Sequence, residues 1–181
     1  MRQSDRIHHR CRCLDRNFTF EEWSQYLRDN PIREAVLTVG TFQFNISDVC
    51  LNPNRPVRIE KNRNYLEIRT AQSSNGRWDY GIDLGLYTEG RHCGAVFIDD
   101  PDEGFSTEKE AIYDCLVDTE KKVQEKIEQL EQRGDVPDYD DDESEREPKT
   151  SATVSALKGF LKEIQRYKQY YDPKQLSLFD I

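Results

Sequence analysis

Apolar positions along the chain recur first at helical spacing, then in alternation, then at helical spacing again. Thr19 followed by Glu21 and Glu22, with Trp23, Tyr26 and Leu27 on one face, predicts a capped amphipathic helix that Asn30-Pro31 ends. Residues 35–46 are rich in β-branched and aromatic side chains and read as strand, with Gly40 bending or dividing it. The polar run Lys61-Asn62-Arg63-Asn64 lies between strand-like stretches at 57–60 and 65–70, so these form a hairpin. Over 78–86, Trp78, Tyr80, Ile82, Leu84 and Leu86 take one side and Asp79, Gly81, Asp83 and Gly85 the other, the signature of a strand with one buried face. A further strand is expected over 92–98, followed by a polar turn at 99–104.

Thr107 with Glu110 makes a capping-box pattern, after which Ala111, Ile112, Cys115, Leu116, Thr119, Val123, Ile127 and Leu130 recur on one helical face. Gly134 stops that helix. A second stripe, Val154, Leu157, Phe160, Leu161, Ile164, Tyr167 and Tyr171, runs until Asp172-Pro173 breaks it. The expected class is α+β: an antiparallel sheet of about four or five strands, packed by the N-terminal helix and the long helix. The organisation read from this pattern is a basic N-terminal arm (1–16), an α+β domain (17–134), a disordered acidic linker (135–152), an amphipathic helix (153–172) and a tail (173–181).

Composition adds placement. The chain has 181 residues, 35% hydrophobic and 34% charged, with a net charge of -9, enough for one core and without the roughly 18 uninterrupted apolar residues of a spanning helix. Residues 1–16 carry +3, 135–148 carry -7 and 149–181 carry +3, which leaves -8 on 17–134. A body of that sign does not bind nucleic acid by bulk attraction to phosphates. The opening MRQSDRIHHRCRC lacks the apolar core of a secretory signal, and five cysteines are an odd number in a chain large enough to fold without cross-links. Both point to a cytoplasmic protein with free thiols.

The most specific motif is Gln175-Leu176-Ser177-Leu178-Phe179. It resembles, at all five positions, the pentapeptide by which bacterial polymerases and repair proteins dock on the replicative sliding clamp. The resemblance implies that Gln175 to Phe179, Ser177 included, bind the clamp: Gln175 makes the polar contact, Leu176 enters a shallow subsite, and Leu178 with Phe179 fills a deep apolar pocket. The helix, meander and capped helix, with GFSTEKEA at 104–111, are in turn similar to the double-stranded-RNA-binding domain. That family places lysines at the start of its last helix, where this chain has Glu108 and Glu110 around Lys109.

Other groupings carry less. His8, His9, Cys11 and Cys13 lie within six residues, but structural zinc sites bring ligand pairs from two separated knuckles and no second pair is near, so no metal is expected. Arg10 and Arg12 in the arm, and Arg58, Lys61, Arg63 and Arg69 near the hairpin, are candidate nucleic-acid contacts. Asp79, Asp83, Asp99, Asp100, Asp102 and Glu103 form no recognisable catalytic set, and the chain has no metalloprotease, phosphate-loop or nucleophile-elbow motif. The expectation is a non-enzymatic, cofactor-free accessory or adaptor protein that binds the bacterial sliding clamp in DNA replication, repair or takeover by a phage or mobile element. DNA or a DNA-bound protein is a candidate second partner, and no membrane is involved. The alternative is an acidic decoy whose 138–147 run imitates DNA and blocks a host nucleic-acid-binding protein.

Overall fold

The computed structural model describes residues 9–87, 89–133 and 150–176. The chain is α+β, with a four-stranded antiparallel meander at its centre. Strands β5 (Asn54–Lys61), β6 (Asn64–Gln72), β7 (Trp78–Leu86) and β8 (Glu89–Cys93) pair in sequence order. Ile59 faces Leu66, and Leu66 in turn faces Leu84, so apolar side chains line up across three strands. The β5–β6 connection is tighter than the expected four residues. Lys61 pairs with Asn64, and only Asn62 and Arg63, both at positive φ, make the turn.

Two helices cover one face of this sheet. Helix α2 (Glu108–Arg133) carries Ile112, Leu116 and Val123 into the core, and α3 (Thr150–Tyr171) adds Leu157, Phe160 and Ile164. Here the structure corrects the expected packing. Helix α1 (Phe20–Asp29) has no buried residue and lies beside the N-terminal hairpin; α3 takes the place on the sheet assigned to it. The reason is hydrophobic area. The α3 stripe buries Phe160 and Ile164 completely, whereas α1 offers one narrow face of Trp23, Tyr26 and Leu27. The helix read as lying beyond a linker therefore belongs to the body, and it begins at Thr150, inside the range assigned to that linker. Residues 135–149 of the acidic run lie outside the described residues.

Two smaller layers complete the fold. Strands β3 (Leu37–Val39) and β4 (Phe42–Phe44) form a hairpin around Gly40, whose φ of 58° suits glycine, so the 35–46 stretch is divided rather than bent. Phe42, Phe44 and Cys50 pack with Ala71, Ala95 and Phe97 in a second cluster. The strand expected over 92–98 ends at Cys93, because 94–98 turns across the opposite sheet face, where Ala95 N would lie 2.4 Å from any Cβ at Gly81. Residues 9–16, read as the end of a basic arm, also fold. Strands β1 (His9–Cys11) and β2 (Arg16–Phe18) form a hairpin that buries Cys11 and Phe18 with Ile46. Among the described residues no helix is long and apolar enough to cross a membrane.

Candidate functional site

Three places hold the candidate functional residues: a corner of thiols and carboxylate under the N-terminal hairpin, the charged face of the sheet, and the exit of the chain after α3.

The corner is built by the loop after β4. Asn45 accepts at Oδ1 from the Ser47 and Val49 amides, at 2.9 and 3.0 Å, and donates through Nδ2 to Ile32 O at 2.8 Å. This ties the loop into a tight turn in which Asp48 adopts φ 63°, a conformation aspartate tolerates better than most residues. The Asp48 carboxylate points at the β1–β2 hairpin. Its Oδ2 accepts from Arg12 N at 2.9 Å and its Oδ1 from Cys13 N at 2.8 Å. Cys11 donates its thiol to the same Oδ1 at 3.4 Å, Cys13 donates to Asn45 O at 3.3 Å, and the two sulfurs stand 3.3 Å apart. Cys11 is fully buried, and Asp48 is 7% exposed. Burial, with the carboxylate beside them, pushes both thiols up from the ordinary cysteine value.

One ligand atom from each of Cys11, Cys13 and Asp48 lies within 4.8 Å of the others, an arrangement able to hold a metal ion. Of the four N-terminal groups weighed in the sequence, His8 lies outside the described residues. His9 stacks on Trp23 at 3.8 Å between ring centroids, and among the described residues its buried Nε2 has no hydrogen-bond partner. Sequence reasoning missed Asp48. It sits 35 residues beyond Cys13, and nothing in its local pattern marks it as a partner of the thiols.

The six candidate nucleic-acid contacts do not converge. Arg10 pairs with Asp99 at 2.8 Å and Arg12 with Glu103 at 2.7 Å, so these two charges of the arm are met by the acidic 99–103 turn. Lys61 reaches Glu163 at 2.9 Å across to α3, and Arg63 stands exposed in the β5–β6 turn. On the open sheet face Arg58 binds Glu60, while Arg69 links Glu67 at 2.7 Å to Asp83 at 3.2 Å. Arg69 holds the Glu67 carboxyl below the usual glutamate range. At the other end of this face, burial raises Asp79, whose Oδ2 accepts from Val96 N at 2.6 Å. The start of α2 is engaged as well: Glu108 accepts from Asn54 at 2.9 Å and from Thr70 at 2.5 Å.

At the end of α3, Tyr171 packs against the main core and its hydroxyl donates to Pro56 O at 3.4 Å. Asp172 then caps a single turn, α4 (Pro173–Leu176), accepting from Lys174 N at 2.9 Å. Gln175, the first residue of the pentapeptide, is exposed on that turn. Ser177, Leu178 and Phe179 lie outside the described residues. No family model, no curated protein and no solved structure matches this chain.

Proposed function

We propose that this protein is a non-enzymatic adaptor that docks on the bacterial replicative sliding clamp through residues 175–179. The observation that carries the proposal is the five-position agreement of Gln175-Leu176-Ser177-Leu178-Phe179 with the clamp-binding peptide. It is supported by the way the chain leaves the body: the core is closed as far as Tyr171, a capped turn follows, and Gln175 beyond it is exposed. Burying Leu176, Leu178 and Phe179 in a partner contributes ~1.5 to 3 kcal/mol per side chain, less the cost of ordering them, which suits reversible micromolar attachment.

The docking of α3 alters the mechanics of such an adaptor. With α3 packed on α2 and the sheet, the pentapeptide follows a helix of the body, so its reach is measured from the end of α3. The tail starts from a fixed point on the body, so a bound clamp sits close to the α2–α3 face. The test is titration of the full-length protein against a purified bacterial clamp, with unlabelled 172–181 peptide as competitor. Leu178→Ala and Phe179→Ala each weaken binding at least tenfold, and the peptide competes. Binding indifferent to both substitutions removes the assignment.

A further inference from the structure

We propose that Cys11, Cys13 and Asp48 form a binding site for a thiophilic divalent cation, with zinc as the fitting ion. Zinc takes thiolate sulfur at about 2.3 Å and carboxylate oxygen at about 2.0 to 2.2 Å in a tetrahedron, whose sulfur–sulfur edge is then about 3.8 Å and whose sulfur–oxygen edge is about 3.6 Å. The corner provides a sulfur–sulfur distance of 3.3 Å and a Cys11 sulfur to Asp48 oxygen distance of 3.4 Å. Small side-chain rotations convert one set into the other.

The surroundings are those of a supported metal ligand set. Asp48 is oriented by two backbone N–H bonds from the very segment that carries the thiols, and Asn45 in turn holds the Asp48 loop. Two cysteines and one carboxylate make a soft, anionic set suited to zinc and too sulfur-rich for magnesium or calcium. Cys13 is only half-buried, which leaves a side open for entry of the ion and for a water as the fourth ligand. Loading replaces the two thiol protons with one cation, so one divalent ion enters and two protons leave. The sequence offers no second Cys or His pair to complete a zinc site with Cys11 and Cys13; the fold supplies instead a carboxylate, from a loop 35 residues beyond Cys13.

The test uses the full-length, reduced protein freed of metal by a chelator. Zinc titration by calorimetry should give one equivalent, and cobalt should give a thiolate-to-metal charge-transfer band. Cys11→Ser, Cys13→Ser and Asp48→Asn should each weaken zinc binding by at least about a hundredfold, beyond the roughly ten- to hundredfold that losing an outer-shell partner costs, while Cys93→Ser, at a thiol outside the cluster, leaves it unchanged. Circular dichroism checks that each variant is folded, and the cobalt spectrum of the unsubstituted protein reports thiolate ligation even where a variant does not fold. Absence of the charge-transfer band overturns the site. So does affinity unaffected by Asp48→Asn, which would place the ion on the N-terminal segment alone, and so does reduced protein that takes up no zinc.

Discussion

The sheet–helix core and the thiol–carboxylate corner are held by different physics. The core joins residues such as Leu66, Ile68, Leu116, Leu157 and Phe160, all at most 2% exposed, and its energy comes from many interchangeable apolar contacts. Among the described residues the corner has Cys11, Phe18 and Ile46 as its buried apolar floor, with Trp23, Tyr26 and Leu27 partly buried against them, and it is positioned by a few bonds to Asp48 and Asn45. The core should therefore resist conservative substitution and fail cooperatively, whereas the corner should hinge on single polar atoms and fail locally.

The sharpest break in the comparison comes from Phe160→Ala. It removes a fully buried ring where α3 meets the sheet and should cost about 3 to 5 kcal/mol, read as a lower urea midpoint with far-ultraviolet and tryptophan signals moving together. If only α3 detached and the sheet kept its midpoint, α3 would be an appended arm after all. Asp48→Ala comes next. It leaves the Arg12 and Cys13 amides without their acceptor, a cost of about 1 to 3 kcal/mol. Amide exchange should accelerate in 9–18 while 64–72 keeps its protection, and uniform acceleration would erase the distinction between the regions.

Two carboxylates on one sheet face sharpen the electrostatic side, because burial and pairing drive them in opposite directions. Glu67 is held low by Arg69, so its stabilisation is present above the ordinary glutamate value and is lost as pH falls through its folded value. The urea midpoint of wild type over Glu67→Gln should show about 1 kcal/mol at neutral pH and close below about pH 4. Asp79 is raised by burial, so its favourable contribution is present below the ordinary aspartate value and is lost as pH rises through its folded value. Asp79→Asn should then gain on wild type as pH rises from about 4 to 7, and a gap that narrows over that interval would refute the assignment. The smallest effect is expected from Arg10→Ala, since its pair with Asp99 is largely solvated: at most about 1 kcal/mol, fading with salt.

Much of the core was legible before any fold was known, because its signals are local. The cap expected at Thr19 is present, and the structure adds Glu22 closing back on the Thr19 amide, while Thr107 and Glu110 cap α2 reciprocally as their spacing predicts. The alternation over 78–86 became β7 with its bounds unchanged. What stayed hidden depended on separation along the chain. The stripe on α3 showed that the helix needed a partner but not which one, and the basic composition of the first sixteen residues concealed Cys11 as a buried strand residue.

The candidate sites divide in the same way. Clamp docking rests on five consecutive residues, so the sequence alone determined that proposal, along with the fold class and the major helices and strands, because each depends on neighbours within a few positions. Only the tertiary structure decided that α3 closes the sheet, that Arg10 and Arg12 meet the 99–103 acids, and that Asp48 reaches the two thiols. A hydrogen bond between residues 35 apart leaves no periodicity behind it; it exists because burial elsewhere brings the two segments together.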